Sequence, residues 1–288
     1  MTPPTVRVAV RAAARVGEGP VWDRAGDRLH WVDILAGAVH TSDLNTGATT
    51  SVVVPTMVGA AVPRTLGGFV AATAEGFAVI SGNGELDIRS AILDAGSRMN
   101  DAKCDARGRL WAGSTDMDFR RGCGALHVLE PDWSTRVVLE GLTLPNGMGW
   151  SPSGETFFLI DSIEGGLYAY AFDVEKAQLN EPRLLRRFDP EAGLPDGMCV
   201  DSEGRLWVAI WGGSRLMCFT PAGEELFEVE VPARQPTSCA FGGPGLTRLV
   251  VTTAREGLDD LEPGASDGSV LVVDGLNATG LAPQNFVG

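Results

Sequence analysis

The 288-residue chain has the composition of a soluble globular protein, with 44% hydrophobic and 21% charged residues. Its net charge of -14 and pI near 4.6 argue against a nucleic acid or an anionic membrane surface as a partner, because either requires a basic face. Arginines interrupt the N-terminal apolar runs, no apolar run is long enough to span a bilayer, and the five cysteines lack CxxC spacing. These features favour a cytoplasmic protein with buried free thiols.

Taken in chain order, the predicted strands fall into repeated units. The chain starts with the strand-like run VRVAVRA, which belongs to no unit. Apolar runs that follow a turn then recur as GDRLHWVDI, LGGFVAAT, GRLWAGST, GETFFLIDS, GRLWVAIW and LTRLVVTTA. Their spacing of about 40 to 50 residues is typical of β-propeller blades.

Each unit contains short runs rich in β-branched and aromatic residues, such as GLYAYAF and GSVLVVD. No segment keeps the 3.6-residue apolar period of a long helix. The sequence therefore predicts an all-β, six-bladed β-propeller in a single domain over residues 1–288. Because the last unit has room for about three strands, the N-terminal run is predicted to supply its outer strand and close the propeller.

One polar position recurs just before the apolar runs. The aligned segments are GEGPVWD, MVGAAVP, MNDAKCD, PNGMGWS, PDGMCVD and TSCAFGG. Their second position is occupied by Glu18, Val58, Asn100, Asn146, Asp196 and Ser238. The first strand of each propeller blade lines the central channel, so these residues are predicted to form a ring at one depth.

Oxygen-bearing side chains in this ring favour a divalent cation, which would balance buried carboxylates that otherwise repel each other. Because the ring contains no His or Cys, it suits calcium, magnesium or manganese better than copper. Zinc is possible but less favoured, since zinc sites usually include nitrogen or sulfur ligands. The glycines after Glu18, Asn146 and Asp196 are predicted to allow sharp turns and to leave room for a ligand.

Four segments, GEGPVWD, RMNDAKCDARGRLWAG, GLPDGMCVDSEGRLWVA and TSCAFGG, resemble the regucalcin/gluconolactonase/luciferin-regenerating-enzyme-like family of sugar lactonases. The resemblance spans almost the whole chain and implies a six-bladed propeller. It implies that Glu18, Asn146 and Asp196 hold one divalent metal ion, with calcium the first candidate. It also implies that Arg98 and Asn100 contact the substrate. Asp118 is a further implied contact, although its segment AGSTDMDFRRG departs from the family's GTM pattern.

The implied function is hydrolysis of a small-molecule sugar lactone. The cation would polarise the lactone carbonyl, and either Asp196 or a metal-bound water would activate the nucleophile. Two alternatives stay open: a metal-dependent esterase or organophosphatase on the same scaffold, and a non-enzymatic calcium-binding regulatory protein. The sequence leaves the sugar, the physiological metal and the oligomeric state open.

Other polar and aromatic residues are assigned structural roles. His30, His40 and His127 lie in or beside different strands without metal-ligand spacing. Trp31, Trp111 and Trp207 recur at one repeat position and are predicted to pack between blades. Ser114 and Ser238 lack a GxSxG setting and a His partner, so a serine hydrolase is disfavoured.

Overall fold

Six four-stranded antiparallel sheets make up the computed structural model, which describes residues 4–288. Strand β1 (Thr5–Val10) comes first. The first blade contains β2 (Gly17–Asp23), β3 (Arg28–Asp33), β4 (Ala38–Ser42) and β5 (Thr49–Val53). The second contains β6 (Val58–Pro63), β7 (Phe69–Thr73), β8 (Gly76–Ile80) and β9 (Leu86–Ala91). The third contains β10 (Ser97–Cys104), β11 (Leu110–Asp116), β12 (Gly124–Leu129) and β13 (Thr135–Leu142).

The remaining three blades follow the same order. The fourth contains β14 (Pro145–Trp150), β15 (Thr156–Asp161), β16 (Gly166–Asp173) and β17 (Gln178–Arg187). The fifth contains β18 (Leu194–Val200), β19 (Leu206–Trp211), β20 (Arg215–Phe219) and β21 (Glu225–Glu230). The sixth uses β22 (Gln235–Gly242), β23 (Arg248–Ala254) and β24 (Val270–Asp274). Over residues 4–288, helical structure is limited to the short turns Pro190–Ala192 and Pro244–Leu246. The predicted all-β, six-bladed propeller is confirmed.

The N-terminal strand closes the last blade, as the sequence predicts. The sheet order of that blade is β1-β24-β23-β22, with β1 outermost. β1 pairs antiparallel with β24, and Thr5 lies opposite Asp274 while Val8 lies opposite Leu271. This pairing joins the start of the described chain to its last strand and leaves the sixth blade with four strands like the others.

The repeated tryptophans of the second strands form part of the core. Trp31, Trp111 and Trp207 are at most 1% exposed. Trp111 Nε1 donates to Asp105 Oδ2 at 2.9 Å, and Trp207 Nε1 donates to Asp201 Oδ2 at 2.9 Å. The predicted packing role is confirmed, and each indole N–H has the partner that a buried donor needs.

Four of the five cysteines are buried and all five are free thiols. Cys123 is exposed, so the expectation of buried thiols is wrong at this position. The difference has a local cause, because Cys123 precedes β12 in a surface turn, whereas Cys104, Cys199 and Cys218 lie within strands.

The C-terminal segment, residues 275–288, crosses the end of the channel where the first strands finish. It forms a bridge at Gly280 with Asp201 in the fifth blade and another at Phe286 with Arg64 in the second. Phe286 is fully buried, and its backbone N–H donates to Pro63 O at 3.0 Å. This segment ties blades on opposite sides of the propeller together. Among the described residues, no helix has the length and apolarity required to cross a membrane.

A buried ion pair fixes the turn between the first and second strands of two blades. In the third blade Asp105 Oδ2 accepts from Arg109 Nε at 2.7 Å and from the Trp111 indole. Asp201 makes the same contacts with Arg205, at 2.6 Å, and with Trp207 in the fifth blade. One carboxylate therefore serves a guanidinium and an indole, which explains the repeated spacing of Asp, Arg and Trp.

We expect Asp105→Ala to lower the free energy of unfolding by about 3–5 kcal/mol, because the substitution leaves a buried guanidinium without a counter-charge. Asp87→Ala is the matched control, since Asp87 pairs with Arg89 at 3.3 Å on the surface. That change should cost less than about 1 kcal/mol. Urea denaturation of both variants gives the comparison. Equal losses in the two variants would contradict the role assigned to the buried pair.

Candidate functional site

The first strands of the six blades form the wall of the channel. Each of β2, β6, β10, β14, β18 and β22 contacts its two neighbours, so the ring is closed. All six strands carry an irregularity at the depth of the predicted polar ring, for example between Pro145 and Met148 and between Pro195 and Met198. A bulge removes a residue from the regular ladder and re-aims its side chain. Here the bulges contain Asn146 and Asp196.

Three predicted metal ligands come together in this ring. Glu18, Asn146 and Asp196 are 5%, 4% and 7% exposed. The amide of Asn146 contacts the carboxylate of Asp196 directly, and Asn146 Nδ2 also donates to Ser162 Oγ at 3.1 Å. Glu18 lies close enough to Asp196 for the two charges to interact. Three separate blades therefore place oxygen-bearing side chains in one region of the channel.

Two other ring positions do not join this polar cluster. Val58 is fully buried in an apolar cluster with Val32 and Ile34 between the first two blades. Ser238 packs against Gly197, where an added Cβ would lie only 2.1 Å from the serine Oγ. The acid and amide side chains of the ring therefore come from the first, third, fourth and fifth blades.

The glycines after Asn146 and Asp196 serve interblade packing. A Cβ on Gly147 would lie 2.5 Å from Met198 N, and one on Gly197 would collide with Ser238. Neither glycine has a positive φ, whereas Gly19 has φ of 55°. At Gly147 and Gly197 the space beside the missing side chain is filled by the neighbouring first strand and not left for a ligand. These two glycines are required because the strands approach each other closely.

Burial and mutual repulsion govern the charge of the cluster. Desolvation raises the pKa of Glu18 well above its ordinary value, and the nearby charges of Asp196 and Asp101 raise it further. Desolvation also raises the pKa of Asp196 well above its ordinary value, with Asp101 adding to the effect and the Asn146 amide opposing it. These shifts mean that two adjacent carboxylates favour taking up a proton or a cation.

The donor set fits a hard divalent cation. Asn146 Oδ1 is buried and has no hydrogen-bond partner, which leaves an amide oxygen available as a ligand. Over residues 4–288, no group of three or more His, Cys, Asp and Glu side chains is arranged to hold a metal. A cation at this ring therefore depends on an amide oxygen beside the two carboxylates. Calcium and magnesium accept such mixed oxygen ligands.

Second-strand aspartates hold the chain just before two of these ligands. Asp33 accepts from the backbone N–H groups of Arg15 and Val16, at 2.9 and 3.2 Å. Asp161 does the same for Thr143 and Leu144, at 2.8 and 3.0 Å. Glu18 and Asn146 follow these braced segments by two residues, so each blade supports its own ligand from the adjacent strand.

The predicted substrate contacts differ in their surroundings. Arg98 is half-buried, and its Nη1 donates to Asn100 Oδ1 at 2.7 Å and to Met99 O at 3.0 Å. Burial lowers the pKa of Arg98, while the charges of Glu18 and Asp196 oppose that change. Arg98 and Asn100 therefore adjoin the ligand cluster at the same end of the channel.

Asp118 lies apart from these residues in an exposed turn after β11. Its backbone N–H donates to Asp116 Oδ1 at 2.9 Å. Because Ser97 pairs with Asp116 and Arg98 with Thr115, the turn extends beyond the Arg98 end of the blade. Within residues 4–288, no hydrogen bond joins the Asp118 side chain to the ring.

The sequence patterns did not identify three residues of the site, Asp101, Lys103 and Ser162. Asp101 is 4% exposed and has one carboxylate oxygen without a partner. It occupies the position held by Gly147 and Gly197 in the neighbouring blades, so the repeat alignment contained a signal for it. Lys103, two residues later, also points a polar group into the channel region. Ser162 lies after β15, outside the aligned segments, and gave no such signal.

The opposite end of the channel contains an apolar cavity of about 400 Å³. Its lining includes Trp22, Trp150, Val200 and Phe241, near the ends of their first strands, together with residues 281–284 of the C-terminal segment. Across the bulge Glu18 lies opposite Val32 and Trp22 opposite Leu29, three residues apart on β3, so at about 3.3 Å per residue this layer lies roughly 10 Å from the polar ring. The cavity and the candidate metal site are therefore different parts of the channel.

The expectation that Ser114 lacks a His partner is wrong. Ser114 Oγ lies 2.8 Å from His127 Nε2, because β11 and β12 are adjacent strands. Both residues are buried, and burial lowers the pKa of His127 to about 4. The described hydrogen bonds include no carboxylate that orients His127, so the pair lacks the third group of a catalytic triad.

Comparison with known proteins identifies a consistent set of relatives. Residues 16–255 match the model of the "SMP-30/Gluconolactonase/LRE-like region". The chain is 33% identical to regucalcin of Gallus gallus over 285 residues, which cover 95% of both chains. It is 34% identical to pentonolactonase XacC of Haloferax volcanii over 250 residues, covering 87% of this chain and 85% of the relative.

Two solved structures share the whole architecture. A luciferin-regenerating enzyme has a TM-score of 0.92 and 29% identity, with 99% of this chain and 100% of that chain covered. A regucalcin from Agrobacterium tumefaciens, described as a calcium-binding protein, has a TM-score of 0.91 and 26% identity. The comparison covers 98% of this chain and 97% of that one.

The raised pKa values of Glu18 and Asp196 give the cation-free protein a characteristic pH dependence. Below the ordinary carboxylate pKa, near 4, both the folded and unfolded chains are protonated and the folded state keeps its full stability. As the pH rises through the folded-state values, we expect that stability to be lost, by at most about 1.4 kcal/mol per pH unit for each group.

A double variant, Glu18→Gln with Asp196→Asn, provides the control. We expect chelator-treated wild-type protein to lose stability relative to this variant between pH 4 and 8, and calcium to reverse the loss in the wild type alone. Denaturation midpoints at a series of pH values give the measurement. Parallel profiles for the two chelated proteins would show that these carboxylates do not govern the pH dependence.

Proposed function

Because the chain belongs to the SMP-30/gluconolactonase/LRE-like family, we propose that it is a hydrolase of cyclic esters that acts on sugar lactones. The observation that carries the proposal is the convergence of Glu18, Asn146 and Asp196 from three blades, with the Asn146 oxygen left free. The relative named pentonolactonase supports the substrate class.

We propose that Glu18, Asn146 and Asp196 hold one divalent cation. Three protein groups leave coordination positions open for water and substrate, as in catalytic sites. The calcium-binding description of the Agrobacterium structure supports calcium, and oxygen ligands also admit magnesium, manganese and zinc. When bound, the cation supplies Lewis-acid polarisation of the lactone carbonyl and stabilises the negative charge that develops on it.

Asp196 is the proposed general base. Its carboxylate has one oxygen against the Asn146 amide, which fixes the orientation of the group. Burial raises the pKa of Asp196 in the cation-free protein, whereas a bound cation would lower the proton affinity of the carboxylate, so direct activation of the water by the cation is the alternative to Asp196. Glu18, on the first blade, shares the buried negative charge and completes the proposed ligand set.

Arg98 and Asn100 are proposed to orient the substrate. A guanidinium has five N–H donors, and the intramolecular contacts of Arg98 use only Nη1. The remaining donors can reach lactone oxygens next to the ligand cluster. Asn100 already accepts from Arg98 and donates to Pro145 O at 3.1 Å, so part of its role is to aim the guanidinium.

Asp118 is proposed to contact outer hydroxyl groups of the sugar. Its exposed turn extends beyond the Arg98 end of the third blade, where a bound substrate would reach the mouth of the channel. A carboxylate is a strong acceptor for such hydroxyls. This contact would select among lactones and take no part in bond cleavage.

Removal of the cation is the first test. We expect chelated protein to hydrolyse gluconolactone and a pentonolactone at no more than about 1% of the reconstituted rate, because carbonyl polarisation is lost. Calcium, magnesium, manganese and zinc are restored one at a time, and acid release is followed by pH-stat. Full turnover in chelated protein shown to be metal-free would contradict the cation-dependent mechanism.

The substitution Asp196→Asn distinguishes the two proposed roles of Asp196, cation ligand and general base. An amide oxygen can still coordinate a cation, but the side chain can no longer accept a proton, so we expect kcat to fall about 100-fold or more while calcium still binds. Calorimetric titration with calcium and lactone kinetics are measured on the same sample. Wild-type turnover by a calcium-loaded variant would exclude Asp196 as the base.

The similarity to a calcium-binding regucalcin supports a second candidate function, that of a non-enzymatic calcium-binding regulatory protein. A regulatory protein would bind calcium with the same three residues and hydrolyse none of the lactones. A panel of pentono- and hexonolactones, an aryl ester and an organophosphate distinguishes this outcome from a lactonase and from a broader esterase.

Arg98→Ala tests substrate orientation. Loss of charge-assisted hydrogen bonds should lower kcat/KM by about 10- to 100-fold, mostly through a higher KM if the guanidinium binds ground state and transition state alike. Arg121→Ala, which removes a side chain that is 74% exposed, is the control. An equal fall of kcat and kcat/KM would instead assign Arg98 to the transition state.

A further inference from the structure

Lys103 occupies an unusual place between the polar ring and the apolar cavity. It lies near the end of β10, and its Nζ donates to Met148 O at 3.0 Å and to Met198 O at 2.8 Å. Those carbonyls belong to β14 and β18, in the fourth and fifth blades. One ammonium group therefore links the inner strands of three blades.

The two carbonyl groups have no strand partner on their channel side. β14 and β18 are the innermost strands of their sheets, so their inner edges face the channel. A buried carbonyl without a donor is unfavourable, and the Lys103 ammonium satisfies both. Met148 and Met198 each follow a candidate ligand, Asn146 or Asp196, by two residues.

Residue 103 is a lysine in a chain whose basic residues are nearly all arginines. Lys103 and Lys176 are the only lysines among the 23 Lys and Arg residues of the chain. A compact ammonium with three rotatable donors fits between two converging carbonyls, whereas a guanidinium presents its donors in a rigid planar fork. The geometry at Lys103 therefore calls for the side chain that this sequence otherwise almost never uses.

Charge gives Lys103 a second connection to the site. Its positive charge favours the ionised forms of Glu18 and Asp101. It thus offsets part of the negative charge of the ligand cluster. A positive charge at this place also repels a divalent cation, so its electrostatic and geometric effects on cation binding have opposite signs.

We propose that Lys103 is a positioning residue that holds Asn146 and Asp196 at the separation a divalent cation requires. The inference rests on the proposed metal site and extends it to a residue outside the ligand set. By tying β14 to β18 through their main chains, the ammonium presets two ligands that come from different blades. Preorganisation of this kind increases affinity because less ordering remains to be done on binding.

Calorimetric titration of chelator-treated protein with calcium tests this role. We expect Lys103→Met to raise the calcium dissociation constant about tenfold, because the tie between the two strands is lost. A purely electrostatic role predicts tighter binding, since a positive charge has been removed. A role in folding alone predicts an unchanged constant and equal shifts of the unfolding temperature with and without calcium. Either of the last two results would overturn the proposal.

Two further variants secure the interpretation. Lys176→Met removes a lysine whose side chain is 70% exposed, and it should leave the dissociation constant unchanged. Lys103→Arg keeps the positive charge and provides the test of the positioning role if Lys103→Met does not fold. We expect the planar fork to weaken calcium binding about tenfold, and wild-type affinity in this variant would overturn the proposal. Wild-type protein that binds no calcium, magnesium, manganese or zinc would instead reject the proposed metal site itself.

Discussion

The repulsion between buried carboxylates is the constraint on which the rest of the channel depends. Glu18 and Asp196 are withdrawn from water on the first and fifth blades, and Asp101 adds a third acidic group nearby. Such groups are stable only when protons, cationic side chains or a metal ion balance them. The propeller keeps them together because each lies on the first strand of a different blade and the ring of blades is closed. The strands, bulges and braces of the channel wall therefore resist a force that would otherwise separate the ligands.

The sequence predicted the architecture well because the architecture is local and repeated. Turns, apolar runs and the recurring tryptophan report on each blade separately, and six copies reinforce one another. The closing strand was also predictable, since an unmatched strand at one end complements a three-strand unit at the other. The same alignment brought Glu18, Asn146 and Asp196 to one depth. Their roles as ligands stay predictions, as do those of Arg98, Asn100 and Asp118.

Features that depend on contacts between strands were less accessible. The ring alignment gave Val58 and Ser238 the same depth as the ligands, but only packing shows that one is apolar core and the other fills the space beside Gly197. The bond between Ser114 and His127 arises from pairing of neighbouring strands and has no motif. Asp101 was detectable as an acid at a glycine position. The reach of Lys103 to two distant carbonyls required the three-dimensional arrangement.

The pairing of β1 with β24 affects the order in which the protein can assemble. Thr5 and Asp274 meet across nearly the entire chain, and β2, which carries Glu18, follows β1 after a short connection. A contact of such long range has a high loop-closure entropy and forms late. During synthesis the sixth blade, which contacts β2 through β22, therefore waits for residues near the end of the chain. A nascent chain released before β24 emerges would hold Asn146 and Asp196 in finished blades but would leave the sheet beside Glu18 open.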